Sequence, residues 1–185
     1  MTVAIAIDFE NVYKFDSVSE DWKKSTFRPE VMKGEKVPLI VEIGSEAHEL
    51  LPNVYNLAFG PRGPKGRIDD KALLTYKDYS KVFSTILFTG LTYLNINNGH
   101  FIGIDGSNNA RAFLYYRIIQ KNFDYLDHYF NIYGLKYYVR ITRFGKRQYD
   151  NPFDFEDVLP SPARIQKGGR TSVDLMYNYF IFNRK

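Results

Sequence analysis

Asp105-Gly106-Ser107-Asn108-Asn109-Ala110-Arg111 is the segment whose residue types and spacing come nearest to a binding site. An apolar run ends at Asp105, Gly106 permits a tight turn, and a helical apolar pattern opens beyond Asn109. The first amides of a helix have no partners inside it. With the helix dipole they attract an anion. Gly106, Ser107, Asn108 and Asn109 would supply that turn. Arg111 adds a guanidinium able to grip phosphate through two parallel hydrogen bonds. The same composition also makes an ordinary cap, with Arg111 paired to Asp105 or another carboxylate.

Two further basic segments carry chemistry of the same kind. Gly60-Pro61-Arg62-Gly63-Pro64-Lys65-Gly66-Arg67 is a loop whose amides, with Arg62, Lys65 and Arg67, can wrap a phosphate. It is not a Walker loop, because no Gly-Lys-Ser/Thr follows. The adjacent Asp69 and Asp70 are carboxylates of the type that binds divalent cations, but neighbours on a strand point opposite ways. The third segment is a strand face of Lys136, Tyr138, Arg140 and Thr142, with Arg143, Lys146 and Arg147 beyond it. Residues 129–148 hold five basic and no acidic side chains. Charge interleaved with an aromatic ring suits a single nucleic-acid strand. Solvated surface is the alternative for both segments.

Other chemistries find little support. His48, His100 and His128 share no metal-ligand spacing and are read as structural or exposed. No nucleophile elbow or carboxylate pair is evident, so no catalytic residue, metal site or cofactor is assigned. The absence of cysteine excludes disulfides, thiolate metal sites and cysteine nucleophiles.

The elements that must position these residues follow from periodicity. Alternation predicts strands over 1–7, 37–43 and 53–59, the second near an edge because of Pro38. Val82, Phe83, Ile86, Leu87, Leu91 and Leu94 recur at helical spacing behind Asp78, a cap. A strand at 100–105 and a helix from about Ala110 to Lys121 come next. Strands at 129–134 and 135–144, broken at Gly134, precede a loop over 145–172 and a last strand at 175–182. Residues 8–35 defy assignment. The order predicts a single α+β domain over 1–185: a mostly antiparallel sheet of five to seven strands, with two main helices on one face.

Composition agrees. Apolar residues make up 44% of 185, enough to offset chain entropy, and 15 Tyr and 15 Phe favour sheet. No stretch has the length of a membrane span, and no signal peptide is seen, so a cytoplasmic protein is expected. Residues 1–57 carry net −4 and residues 58–185 net +8. The larger part therefore attracts phosphate-bearing partners.

Two resemblances add to this. Asn53-Val54-Tyr55-Asn56-Leu57-Ala58-Phe59-Gly60, Asp69-Asp70, Lys81-Val82, Gly106-Ser107 with Ala110-Arg111 and Leu114-Tyr115, and 130–134 together resemble a bacterial family of unknown function. The resemblance covers 53–134 and the last strand. It implies a single intracellular domain and carries no described activity. The succession strand, glycine-rich loop, helix, strand and Asn-Asn-Ala-Arg helix start is also similar to the acetyl-CoA-binding half of GNAT acetyltransferases. That similarity implies cofactor roles for Asn108 or Asn109 and for Tyr115 or Tyr116. The ten residues between Arg67 and Asp78 depart from it.

Three functions are expected in turn. The first is a non-enzymatic binding protein for nucleic acid or a nucleotide. The second is a GNAT-like acyltransferase, marked by a splay between the strands at 53–59 and 100–105. The third is a protein-interaction module of a toxin–antitoxin or phage-defence pair, suggested by its tyrosines and the 145–172 segment. No oligomeric state follows from the sequence.

Overall fold

A computed structural model describes residues 4–63, 66–69, 72, 75–106, 108–141 and 153–185, with backbone alone at 138–141 and 153–157. Eight strands form one sheet: β1 (Phe15–Val18), β2 (Lys24–Phe27), β3 (Leu39–Ala47), β4 (Val54–Pro61), β5 (Phe101–Asp105), β6 (Phe130–Ile141), β7 (Phe153–Arg164) and β8 (Tyr179–Arg184). Their order across the sheet is β1-β2-β3-β4-β5-β8-β6-β7. Every neighbouring pair is antiparallel except β4 and β5.

That exception follows from the connection. A parallel return needs a crossover, and α1 (Tyr79–Ile96) supplies it. Asp78 caps α1, its Oδ1 accepting from the Lys81 amide at 2.9 Å. Val82, Ile86, Leu87, Leu91 and Leu94 form its buried stripe, as the periodicity predicts. Gly90 lies where α1 crosses the parallel pair. A Cβ there would run into Ile102 and approach Leu57 Cδ1 to 3.3 Å. α2 (Asn109–Lys121) follows β5 and buries Ala112, Tyr116, Ile118 and Ile119, and a single turn, α3 (Phe123–Leu126), closes it.

Both long helices pack on the same face. Their buried residues join Phe27, Val41, Leu57, Ile102, Ile104, Phe130, Ile132, Phe180 and Phe182 in one core. On the opposite face, no helix residue joins the apolar cluster among the described residues. It carries a smaller cluster of Leu51, Val54, Leu135, Tyr179 and Ile181. β8 alternates between the two, which is why all of Tyr179–Phe182 is buried.

The sequence reading is corrected at several points. The described residues form eight strands rather than five to seven. Residues 8–35 hold β1 and β2, two four-residue strands in which only Ser25 and Phe27 are buried, too few for alternation to show. The chain does not break at Gly134. β6 runs through it because a side chain at that position would meet the Tyr177 ring. Glycine here marks a close approach, not a turn. The 145–172 loop contains β7, whose Pro160 and Pro162 suit an edge strand that pairs on one side only. The last strand begins at Tyr179, behind a 3-10 turn over Val173–Leu175.

The described part of the predicted first strand, residues 4–7, has no strand partner. It belongs to a strap whose amides are taken up by side chains. Ala6 donates to Ser80 Oγ at 2.9 Å, Ile7 to Asn122 Oδ1 at 2.8 Å, Asp8 to Ser84 Oγ at 2.9 Å and Phe9 to Tyr125 Oη at 2.8 Å. Asn122 Nδ2 donates to the Ile5 carbonyl at 3.1 Å. Buried extended chain needs such partners, and the hydroxyl and amide side chains of α1, α3 and the turn between α2 and α3 provide them.

Candidate functional site

The two parallel strands part. Pairing between β4 and β5 covers only Val54–Asn56 and Phe101–Gly103. Beyond that point β4 stays bound to β3, out to Leu39 against Pro61. β5 stays bound to β8 along its whole length. Each strand is thus held by its other neighbour, and a cleft opens between them. Its mouth lies at the carboxyl ends of both strands, the place where open sheets with crossover helices take their ligands. The cleft, about 100 Å³, is lined by Asn56, Ala58, Phe59, Asp105, Arg111 and Tyr115 among others.

α2 brings Arg111 and Tyr115 to this cleft on one helix face, four residues apart. Tyr115 packs edge-on against Phe83 and Phe180. Gly106 allows the helix to start close in, since a Cβ there would sit 2.6 Å from that of Ala112. The helix start itself is an ordinary cap: Asn108 Oδ1 accepts from the Arg111 amide at 2.9 Å. Asn109 opens the helix and is exposed. What the segment is seen to add to the cleft lining is Arg111. Ser107 lies outside the described residues.

A second hollow, about 430 Å³, adjoins the first. Asn56 and Ala58 line both. It occupies the face away from the helices, with Gly44 and Ala58 in its lining, the Lys24–Glu42 ion pair (3.4 Å) beside them, and Arg67 from the 62–67 loop. That loop turns back through a bridge between Arg62 and Ile68. It lies so close that a Cβ on Gly60 would sit 2.9 Å from the Asp69 carbonyl carbon. Arg67 and Arg111 therefore flank the same stretch of β4. Lys65 and Asp70 lie outside the described residues.

The basic face of β6 is elsewhere. Lys136 projects to the helix side, its Nζ 5.3 Å from the centroid of the Tyr177 ring. Tyr138 and Arg140 lie on β6, described as backbone alone, and Arg143 is outside the described residues. Of the two tyrosines matched to acyltransferases, Tyr115 lines the cleft. Tyr116 is buried against Tyr177 and Gly169. Burial pushes the Tyr116 hydroxyl above the usual phenol range.

One group of side chains has no sequence signal. Tyr179 lies flat over Gly103, where any Cβ would enter its ring, and its hydroxyl donates to Asn56 Oδ1 at 3.1 Å. His48 Nε2 is 3.0 Å from Tyr137 Oη. Burial raises both phenols, and Asp105 pushes in the same direction. Residues 48, 56, 103, 137 and 179 are too far apart in the chain for spacing to join them. Only the strand order does so.

Among the described residues no group of three or more His, Asp or Glu could hold a metal ion. No helix among them is long and apolar enough to cross a membrane. No curated protein and no solved structure matches the chain. A family model, described as a family of unknown function, covers residues 9–154, from the strap to the start of β7. The chain belongs to that family, DUF6934.

Proposed function

We propose that this protein binds a phosphate-bearing small molecule of the nucleotide class in the cleft between β4 and β5. One observation carries the reading: the strands part at Asn56 and Gly103, and Arg111 and Arg67 stand on either side of the opened stretch. Beyond Asn56 and Gly103 the two strands exchange no further pairing, which leaves part of each backbone edge free to offer hydrogen-bonding groups to a ligand in the gap. Guanidinium groups bind phosphate through paired, charge-assisted bonds. The cleft's size and the separate position of Lys136 favour a nucleotide over a nucleic-acid strand.

Thermal unfolding with ATP, ADP, adenosine 3′,5′-bisphosphate and coenzyme A, each at millimolar concentration, tests this. A ligand at a hundred times its Kd stabilises the folded state by about 2.7 kcal/mol. A raised Tm with any of them, lost in Arg111→Ala, is expected. No shift with the whole panel overturns the reading.

The splay also favours a second reading, a GNAT-like acyltransferase. It is the feature expected of that resemblance, and Tyr115 stands in the cleft. Acetyl-CoA would then raise Tm and be turned over with an acceptor, and Tyr115→Phe would lower turnover more than binding. Binding without turnover, across a set of amine acceptors, returns the protein to the first reading.

A further inference from the structure

The cleft between β4 and β5 houses phosphates but not the bulk of a nucleotide. It measures about 100 Å³, whereas sites for small molecules run to about 300–1,000 Å³. The hollow beside it measures about 430 Å³ and shares Asn56 and Ala58 with it. A ligand with its phosphates in the gap therefore finds room for its remainder on the sheet face away from the helices.

Four residues of that hollow, two polar and two small, lie together on β3 and β4. Glu42 pairs directly with Ala58 across the strands. Gly44 lies beside Asn56, since a Cβ on it would stand 3.7 Å from the Asn56 carbonyl oxygen. Glu42 and Asn56 are thus diagonal neighbours, a separation of about 7–8 Å that one flat ring can span. Between them lie Gly44 and Ala58, nearly bare backbone. The fold does not ask for glycine at 44. The ladder is irregular between Ile43 and Ala47, but Gly44 has no left-handed φ, and a Cβ there would make only ordinary contacts, the nearest at 3.6 Å. Glycine inside a strand weakens it, and one use that offsets the loss is close approach of a ligand.

The polar pair differs in what it can bond. Asn56 Oδ1 accepts from the Tyr179 hydroxyl at 3.1 Å, which leaves the Asn56 amide group to donate. Glu42 as a carboxylate accepts only. Lys24 Nζ lies 3.4 Å from its Oε2 and takes one of about four lone-pair sites, so the carboxylate has capacity for more hydrogens. Guanine offers a carboxylate two neighbouring donors, N1–H and the 2-amino group, with the O6 acceptor next to them for an amide. Adenine offers a carboxylate its 6-amino group alone.

We propose that this hollow takes the base of a guanine nucleotide, flat on Gly44 and Ala58, and that Glu42 is the residue that selects it. The proposal rests on the phosphate-binding reading above, in which Arg111 and Arg67 hold the charged part.

GDP, ADP and pyrophosphate, titrated calorimetrically into wild type, Arg111→Ala, Gly44→Val and Glu42→Gln, test it. Valine suits a strand and fills the hollow. Glutamine keeps the shape of Glu42, and losing an exposed pair with Lys24 costs the fold little. Wild type should prefer GDP to ADP about tenfold, the worth of a hydrogen bond to a charged group. Gly44→Val should weaken both nucleotides and leave pyrophosphate unchanged. Glu42→Gln should bring GDP down to the affinity of ADP, and it carries the test alone if Gly44→Val does not fold. Arg111→Ala should weaken all three probes. Equal affinity for GDP and ADP in wild type, a GDP preference that survives Glu42→Gln, or nucleotide affinity untouched by Gly44→Val overturns the proposal, while a loss for every probe in Arg111→Ala upholds the cleft. Failure of all three probes to bind wild type overturns the cleft reading and this proposal with it.

Discussion

The Tyr179 hydroxyl donates to Asn56 Oδ1 across 3.1 Å, joining β8 to β4 over the top of β5. The strand between them makes room by having no side chain at Gly103. The bond crosses the sheet at the last paired residues of β4 and β5, where the cleft begins. It fixes the floor of the cleft to the far side of the sheet.

Gly103→Ala places a methyl inside the Tyr179 ring, so the ring must leave and the bond to Asn56 must break. Overpacking of this kind costs about 1–3 kcal/mol. Tyr179→Phe removes the hydroxyl alone and should cost about 1 kcal/mol. Urea unfolding of both variants checks the order. Equal losses would mean that the ring accommodates the methyl and that Gly103 is not the reason the crossing exists.

The alkaline limb of stability follows from the same tyrosines. Burial raises Tyr93 to about 12 and Tyr179 higher still. A phenol whose folded pKa lies above the unfolded value of about 10 keeps its proton in the folded state after the unfolded chain has lost it. Its contribution is complete below pH about 10 and is lost as pH rises toward the folded pKa. Each such tyrosine steepens the fall by about 1.4 kcal/mol per pH unit in that window. Urea midpoints measured from pH 8 to 11.5 should be flat at first and then drop steeply. Absorbance at 295 nm should show the phenolates appearing with unfolding. A drop that begins near pH 8 would count against burial as the cause.

The strap supplies a local test. Asn122 accepts from the Ile7 amide and donates to the Ile5 and Ile118 carbonyls. Asn122→Ala strips these partners from buried backbone, at about 1–3 kcal/mol. Hydrogen exchange should speed up at residues 5–9 well before β3 or β4 responds. Uniform acceleration across the chain would show that the strap is not a separate unit.

These relationships explain what could be read from the chain. α1 was legible because Asp78 and six apolar residues repeat one local rule, and α2 because Ala110, Phe113, Leu114 and Ile118 recur at helical spacing, although Ser107, Asn108 and Asn109 were equal candidates for the cap that Asn108 provides. Glycine misled at Gly134, where its use depends on Tyr177, more than forty residues away in the chain. β7 was hidden by Pro160 and Pro162, which an edge strand tolerates. The arginines of the cleft were legible as residues but not as neighbours. Nothing local says that Arg67 and Arg111 flank one strand, or that Lys136 does not. His48, Tyr137 and Tyr179 meet only because β8 inserts between β5 and β6, and a strand order of that kind leaves no periodic trace.

The position of Lys136 yields the last expectation. Its ammonium group rests over the Tyr177 ring on the helix-covered face, whereas Arg67 and Arg111 line the two hollows that share Asn56 and Ala58. For a nucleotide-sized ligand in the cleft, Lys136→Ala should leave affinity unchanged. Arg67→Ala and Arg111→Ala should each weaken it, and each should lower its dependence on salt, because a charged phosphate contact has been removed. A nucleic-acid strand tracking every basic segment would behave differently: all three substitutions would weaken it alike and reduce the salt slope together. Titrating adenosine 3′,5′-bisphosphate and a single-stranded oligonucleotide at several salt concentrations decides between these. Sensitivity to Lys136 equal to that of Arg111 would move the binding surface from the cleft to the helix side of the sheet.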